Sequence, residues 1–337
     1  MGIKDLNKFI TEFAPEGIKE THLNEFSGKK VAIDTSIFMY KFLYKNPRFI
    51  EGFFQQINRL KRNNITPIYI FDGIPPSDKD KTLAQRKQKK TDYKNKIQEI
   101  ELKLIEEQNK ETKDNELIKQ LNIQLSKTKK KFIHVTKEHI EELKHFLDLC
   151  DIKYIHPECE ADALCSKLCE NNIVDLVLSD DMDLLTSGTK ILLRNFFITS
   201  NKITSYNLEK ILEKLDINYD QWVDFCILCG CDYVKRIKGV GPKNAYKLIK
   251  QHKSLDNIME NVFKKNTEKY IIPDSYNYVN ARELFKHCNE FKEDFKDIEL
   301  EPNLFDNQKE NIIKYLLTRT HLTEKQINNR INNIFSK

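Results

Sequence analysis

Acidic residues end three apolar segments of this sequence. In "VDLVLSDDMDLLTSG" (174–188) the apolar run is followed by Asp180, Asp181 and Asp183. The apolar run in "KKVAIDTS" ends at Asp34, and the one in "TPIYIFDGIPP" ends at Asp72. Each apolar run is short and rich in β-branched or aromatic residues, which is typical of a parallel strand covered on both faces. A single acidic cluster is explained by a turn, since Asp bonds its own backbone. Acids at the ends of three strands instead predict a ligand site, because parallel strands end at one edge of a sheet.

Two further segments place acids at helix ends. In "HPECEADALCSKLCE", Glu160 and Asp162 lie at the start of a helix that Pro157 helps to begin. One acid there would only complement the helix dipole. In "WVDFCILCGCDYVK", Asp232 follows an apolar helix that Gly230 ends. We therefore expect these acids to join those of the strands.

Seven carboxylates at one place would require cations. Two unit charges about 4 Å apart repel by about 4 kcal/mol at an effective dielectric near 20. Carboxylates select hard ions such as Mg²⁺ or Mn²⁺, and a pair of such ions activates water and stabilises the leaving oxygen in phosphodiester cleavage. Asp180 is expected to be a solvated neighbour. The predicted metal ligands are Asp34, Asp72, Glu160, Asp162, Asp181, Asp183 and Asp232.

The segments around the acids predict an α/β fold with a mainly parallel central sheet flanked by helices. Helical spacing of Phe53, Ile57 and Leu60 separates the first two strands, and alternating strands and helices form such sheets. Between Pro76 and Pro157 the sequence has neither Gly nor Pro and is dense in Lys, Glu and Gln, which favours long helices.

Two apolar stripes within that segment predict a helical hairpin. They flank the polar stretch "EEQNKETKDNE", and a solvated coiled-coil decoration is the alternative. The stripes are Ile97, Ile100 and Leu104, and Ile118, Leu121 and Leu125.

Composition favours a reducing, aqueous compartment. The net charge is +5, and no apolar stretch approaches the roughly 18 residues of a membrane span. The start of the chain does not resemble a signal peptide. The eight cysteines fit a reducing environment, and Cys226, Cys229 and Cys231 lack the second CxxC of a zinc ribbon. We expect no membrane association.

A glycine turn precedes a basic helix in "IKGVGPKNAYKLIKQHK". Gly239 and Gly241 permit a tight turn, and Pro242 suits a first helical position. The exposed N–H groups of the new helix could bind an anion. A dinucleotide fingerprint is excluded because the third Gly and the preceding strand are missing. A plain helix hairpin is the alternative. The basic residues here are Lys238, Lys243, Lys247 and Lys250.

Six blocks of the sequence resemble the flap endonuclease branch of the XPG-type 5′ nucleases. They occur in the family's order over nearly the whole chain: "MGIKDLNKFI", "VAIDTSIFMYKFL", "YIFDGIPP", "ECEADALC", "SDDMDLLTSG" and "CILCGCDYVKRIKGVGPKNAYKLIKQH". The resemblance implies a PIN-like nuclease core whose seven acids bind two Mg²⁺, with Mn²⁺ able to substitute. It makes Glu158 a bystander.

The resemblance also implies roles for residues outside the acid set. Lys79 and Arg86 would approach the scissile phosphate, and Tyr40 would stack on a base beside the cut. The hairpin would be an arch through which a single-stranded 5′ flap threads. The basic helix would belong to a helix-two-turn-helix that grips duplex DNA, often with K⁺, through Lys238, Gly239, Gly241, Lys243 and Lys247.

The predicted organisation has four parts. Residues 1–90 form an N-terminal nuclease region, 91–135 the arch, 136–230 an internal nuclease region, and 231–337 the helix-two-turn-helix with small closing helices. By resemblance the chain is a monomer that cuts 5′-flap or branched DNA in replication and repair. The nucleus is the expected location, or the cytoplasm if the protein is viral. The sequence up to Lys337 has no sliding-clamp peptide, which leaves clamp recruitment open.

Three other functions remain as alternatives at this stage. An exonuclease or junction-cutting relative would share every acid, and a DNA-binding scaffold would need none of them. A phosphatase forming an aspartyl-phosphate would require Asp-x-Asp-x-Thr, and Leu185 occupies the Thr position.

Overall fold

Seven strands form one sheet in the residues described by the computed structural model, which are 2–73, 80–158, 160–273, 276–286 and 306–335. The strand order is β1-β7-β6-β5-β2-β3-β4. The run from β6 to β4 is parallel, as predicted, whereas β7 and β1 add an antiparallel edge that the sequence did not predict. The strands are β1 Ile18–His22, β2 Lys30–Asp34, β3 Thr66–Ile70, β4 Tyr154–Ile155, β5 Leu176–Leu178, β6 Ile191–Arg194 and β7 Lys202–Asn207.

Helices surround this sheet. No helix within the described ranges combines the length and the apolar character needed to cross a membrane. The helices are α1 Leu6–Phe13, α2 Thr35–Lys45, α3 Ile50–Arg62, α4 Asp80–Gln108, α5 Asn115–Lys131, α6 Lys137–Leu149, α7 Ala161–Glu170, α8 Asp183–Thr186, α9 Leu208–Leu215, α10 Tyr219–Cys229, α11 Pro242–His252, α12 Leu255–Ile258, α13 Tyr278–Lys286, α14 Asp306–Arg319 and α15 Glu324–Phe335, with a π-helical turn at Met259–Phe263.

Both faces of the sheet are covered. In β2, Ala32 packs into one layer, with α1, α7 and α9 to α13, whereas Val31 and Ile33 pack into the other, with α2, α3, α6, α14 and α15. Successive side chains of a strand point to opposite faces. A strand buried on both sides must therefore be apolar throughout, which explains the unbroken apolar runs.

Strand β2 lies where the order of the strands reverses: β3 and β4 follow on one side of it, and β5 and β6 are added on the other side. It pairs with β3 on one side and with β5 on the other, both in parallel. The carboxyl end of β2 therefore lies between the ends of β3 and β5, at the kind of switch point where open α/β sheets bind ligands. These are the three strands whose ends carry acids.

The predicted hairpin is confirmed. Helices α4 and α5 pack through Ile100, Leu104 and Leu121, and Glu101 pairs with Lys129 at 2.7 Å. Helix α4 begins at Asp80 and continues across the 90/91 boundary. The first helix of the hairpin is therefore the helix that follows β3 among the described elements.

The last two helices, α14 and α15, pack against the layer of the nuclease sheet that contains α3. Ile312 and Leu316 of α14 and Ile327 of α15 enter the same apolar cluster as α3. The side chain of Asn58 in α3 also donates to the carbonyl of Arg330. These helices therefore belong to the same apolar layer as α2 and α3.

A buried ion pair joins three helices of the C-terminal region. Asp224 in α10 accepts from the backbone N of Leu255 at 2.8 Å and from Nε of Arg282 at 2.9 Å. Arg282 also contacts Asp256 at 2.9 Å, but Asp256 is half exposed whereas Asp224 is buried.

Replacing Arg282 by Ala should lower the free energy of unfolding by about 3–5 kcal/mol, since it leaves the Asp224 carboxylate buried without its cation. The matched change Asp256→Asn removes only the exposed contact and should cost less than about 1 kcal/mol. Urea unfolding of both variants measures the difference. Equal losses would contradict the assignment of the stabilising pair.

Candidate functional site

Asp34 is the buried centre of the acid set. It ends β2 and caps α2, with Oδ1 accepting from the backbone N of Ile37 at 3.4 Å and Oδ2 from Oγ of Ser179 at 2.8 Å. Only 5% of Asp34 is exposed. Burial first, and then the charges of Asp72 and Asp181, raise the pKa of the Asp34 carboxyl to about 7, although the Ser179 hydrogen bond opposes this. Asp34 therefore shares a strongly negative environment.

The loop after β5 holds the next two acids through a chain of hydrogen bonds. Ser179 accepts from the backbone N of Asp181 at 3.0 Å, and Oδ1 of Asp181 accepts from the backbone N of Asp183 at 3.2 Å. Asp183 begins α8 and is 6% exposed. Ser179 thus ties this loop to Asp34.

The N-terminal segment packs directly on this loop. The backbone N of Ile3 donates to Oδ1 of Asp183 at 2.6 Å. Gly2 has a φ of +91°, and a Cβ added there would collide with the carboxylates of Asp181 and Asp183. Only glycine fits this position.

The acid that follows β3, Asp72, contacts the start of α7, where two more of the acids lie. Oδ1 of Asp72 accepts from the backbone N of Ala161, the first residue of α7, at 3.1 Å. Glu160 precedes this residue at the N-cap, and its Oε2 accepts from the hydroxyl of Tyr233 at 3.1 Å. Asp162 lies in the first turn of α7.

A buried thiol reports that three acids from separate segments lie together. Burial is the first cause that raises the pKa of Cys165, and the charges of Asp34, Asp162 and Asp72 follow. Cys165 is a buried residue of α7, one turn after Ala161. The strand acids Asp34 and Asp72 and the helix acid Asp162 therefore all affect the pKa of the same buried thiol.

Asp183 connects the remaining acids in the same way. Burial raises the pKa of the Tyr233 hydroxyl, and Glu160 and Asp183 add to the effect. Burial also raises the pKa of Cys231 to about 12, with Asp183 and Asp232 adding smaller contributions. Acids from all five predicted segments thus lie within electrostatic reach of their neighbours.

Five of these acids accept hydrogen bonds from protein donors: Asp34, Asp72, Glu160, Asp181 and Asp183. No group of three or more His, Cys, Asp or Glu side chains in the described parts of the chain is already arranged to hold a metal ion. Burial raises the thiol pKa values of Cys226, Cys229 and Cys231, which disfavours the thiolate form that binds zinc. The predicted metal ligands are brought to one region, and their role as ligands stays a prediction.

Asp180 is not the solvated neighbour that the sequence suggested. Its Oδ2 accepts from Nζ of Lys41 at 2.9 Å, and its Oδ1 accepts from the backbone N of Asn195 at 2.9 Å. Nη2 of Arg194 donates to its carbonyl at 2.9 Å. Asp180 therefore fixes the acid loop to β6 and α2.

The other predicted contact residues of the N-terminal half are placed unequally. Tyr40 lies on α2, with 46% of its surface exposed. Lys79 lies outside the described residues, and so does the side chain of Arg86, whose backbone belongs to α4.

The glycine turn forms as predicted and is open to solvent. Gly239 has a φ of +86°, Gly241 is the N-cap of α11, and Pro242 is its first residue. A Cβ at either glycine would meet nothing within 4 Å. A large ligand could therefore approach this backbone closely.

The lysines around the turn differ in their contacts. Lys238 and Lys247 are exposed. Lys243 instead pairs with Glu12 of α1, and its ammonium lies 5.3 Å from the centre of the Phe13 ring. The sequence gave no sign of this contact with α1.

Comparison with known proteins identifies the family. The XPG N-terminal domain matches residues 1–93 and the XPG I-region matches residues 151–232. Flap endonuclease 1 of Entamoeba histolytica is 36% identical over 358 aligned residues, which cover 100% of this chain and 89% of the relative. The chain belongs to the XPG-type flap endonuclease family.

Solved structures agree with this membership. Flap endonuclease-1 from Methanococcus jannaschii matches with a TM-score of 0.67 and 25% identity over 97% of each chain. The catalytic core of Rad2 in complex with DNA substrate shares the fold, with a TM-score of 0.71 and 22% identity over 99% of this chain and 100% of that one. As a flap endonuclease the chain is a nuclease, and this family generally uses divalent metal ions.

Three residues of the flap endonuclease site were not found from the sequence. Ser179 follows an apolar strand directly, as a polar residue at a strand end, and Tyr233 is adjacent to Asp232. Gly2 carried no signal beyond its residue type. Their hydrogen bonds and close contacts join segments that are far apart in sequence.

Replacing Asp34 by Asn should weaken the pH dependence of stability in EDTA. A carboxyl whose pKa is about 7 in the folded protein and about 3.9 in the unfolded chain stabilises the fold at low pH. This contribution is lost as pH rises through 7, by up to about 3 kcal/mol between pH 5 and 8. Urea unfolding at both pH values should show a steeper fall for the wild type than for Asp34→Asn. Parallel curves would contradict the raised pKa.

Proposed function

We propose that this flap endonuclease hydrolyses DNA phosphodiesters at single-strand/double-strand junctions, releases 5′ flaps, and also shortens 5′ ends as an exonuclease. The observation that carries the proposal is the gathering of acids from five chain segments around a carboxyl with a pKa of about 7. The relatives named Flap endonuclease 1 support the choice of substrate.

The acid set fits two Mg²⁺ ions, with Mn²⁺ as a substitute. Its donors are carboxylate oxygens, which hard divalent ions prefer. Burial first, and then the charges of Asp72 and Asp181, raise the pKa of Asp34, and a bound cation would favour its ionised form. When bound, a pair of such ions activates water and stabilises the leaving oxygen of the phosphodiester. Asp34, Asp72, Glu160, Asp162, Asp181, Asp183 and Asp232 would hold them.

The chain's own contribution is to hold these oxygens in place before the substrate arrives. Ser179 fixes Asp34 against the backbone of Asp181, and Tyr233 fixes Glu160. Oriented groups lower the barrier because little reorganisation is left for the reaction. Tyr233 and Ser179 are therefore positioning residues.

Two cations from the start of the Lys-rich segment would complete the site in this proposal. Lys79 and Arg86 would bind the scissile phosphate, Lys79 as a point charge and Arg86 through two hydrogen bonds. The α4–α5 hairpin would act as the arch that admits a single strand. Tyr40, half exposed on α2, would stack on a base beside the cut.

The glycine turn and α11 would bind the duplex. The first N–H groups of α11 and the open backbone of Gly239 and Gly241 offer an anion site, with Lys238 and Lys247 adding exposed positive charge. K⁺ could bind at this turn alongside a phosphate. We infer a role in DNA replication and repair, in the nucleus.

Replacing Asp181 by Asn tests the proposal directly. Asn can still accept from the backbone N of Asp183 but carries no charge. Cleavage of an end-labelled 5′-flap duplex in Mg²⁺ should fall at least about 100-fold, because metal ions contribute several kcal/mol and each 1.36 kcal/mol is tenfold in rate. Blunt and four-way substrates, run in parallel, separate flap cutting from exonuclease and junction cutting.

The matched control is Asp175→Asn, at the opposite end of β5. Asp175 pairs there with Lys29 at 2.9 Å and should be dispensable for cleavage. Wild-type protein that binds the flap tightly but never cuts it, in Mg²⁺ or Mn²⁺, would contradict the proposal and favour a DNA-binding scaffold.

A further inference from the structure

A second tyrosine lies exposed beside Tyr40. Tyr44 follows it by one turn of α2, and 46% of Tyr40 and 55% of Tyr44 are exposed. Residues four apart lie on the same face of a helix. Two large aromatic side chains exposed on one helix face form a contiguous surface on which a ligand can bind.

These tyrosines line a cleft between α2 and the base of the hairpin. The cleft has a volume of about 560 Å³, and the lining residues that matter here are Tyr40, Lys41, Tyr44 and Lys45 of α2 and Lys130 and Lys131 of α5. The ammonium of Lys130, at the end of α5, lies 6.0 Å from the centre of the Tyr44 ring. The ring is thus flanked by a cation from the other wall.

The charges of the cleft favour an anionic occupant. Lys41 is paired with Asp180 at 2.9 Å and lies 5.2 Å from the ring centre of Phe197, so its charge is balanced within the protein. Lys45, Lys130 and Lys131 add three positive charges around the tyrosines. Aromatic rings with lysines are how proteins bind single strands, with bases on the rings and phosphates on the cations.

We propose that Tyr44 and Lys130 form a second stacking site, for the nucleotide next to the one at Tyr40 on the single strand that leaves the acids. The inference rests on the proposed function. It extends the contacts of the flap by one nucleotide, to a site where the base lies on Tyr44 and Lys130 contacts the phosphate.

The dimensions of α2 support this order. With 1.5 Å per residue, Tyr40 lies about 9 Å along the helix from Asp34, and Tyr44 about 15 Å. A strand that runs from the acids along α2 therefore meets Tyr40 first. The step between the tyrosines is about 6 Å, wider than the 3.4 Å between stacked bases, so each ring meets its own base on an extended strand.

The test compares Tyr44→Ala with Tyr44→Phe on flaps of one and of five nucleotides. Tyr44→Ala should cut the five-nucleotide flap about tenfold less efficiently and the one-nucleotide flap within twofold of the wild type. Tyr44→Phe keeps the ring and should behave as the wild type. Lys130→Ala should weaken binding of the longer flap only, and Lys264→Ala, on a distant exposed lysine, serves as the charge control.

A spectroscopic measurement separates stacking from a structural effect. With 2-aminopurine at the second flap nucleotide and EDTA present, wild type and Tyr44→Phe should quench the fluorescence and Tyr44→Ala should not. The same probe at the first nucleotide should respond to Tyr40→Ala alone.

The outcomes distinguish the two levels of the proposal. Wild-type protein that cuts no flap would overturn the proposed function and this inference with it. Wild-type cutting with equal loss on both flaps in Tyr44→Ala, or with no loss on either, would overturn the inference alone. A peptide that competes with the flap for this cleft, and for no other part of the protein, would also overturn the inference. The cleft would then be a binding site for a protein partner.

Discussion

Repulsion among carboxylates is the constraint on which the rest of this structure depends. Acids from five chain segments lie within electrostatic reach of their neighbours at the carboxyl ends of the strands. Burial first, and then the charges of Asp72 and Asp181, raise the pKa of Asp34 to about 7. Folding alone does not favour such a gathering, since like charges at close range cost several kcal/mol. The apolar layers on both faces of the sheet hold the strand ends together against that repulsion. Positive charge bound among these acids would relieve that repulsion.

The same region couples the acid site to the glycine turn. Asp232 lies between the end of α10 and the turn before α11, and Arg236 of this connection donates to the carbonyls of Cys229 and Lys4. The N-terminal segment that packs on Asp183 is therefore tied to the segment that carries Asp232. A duplex held at the turn would be positioned against the acids through a short, hydrogen-bonded connection.

The strand ends were predictable because burial on both faces forces an apolar run, which the first polar residue interrupts. Local patterns also predicted the hairpin stripes and the turn before Pro242. The antiparallel edge, the packing of α14 and α15 on α3, and the pairing of Asp180 with Lys41 were not predictable. Apart from the β6–β7 pair, which is local in sequence, each of these joins residues more than a hundred positions apart, and no local pattern encodes such a contact.

The most direct test of the central claim is a calorimetric titration of Mg²⁺ into the whole protein at pH 7, in two buffers that differ in ionisation enthalpy. If these carboxylates interact electrostatically, bound Mg²⁺ should lower the pKa of Asp34 and release up to about half a proton per chain. The release should vanish in Asp34→Asn. Absence of Mg²⁺ binding, or binding with no proton release in the wild type, would contradict the claim that cations balance these seven carboxylates.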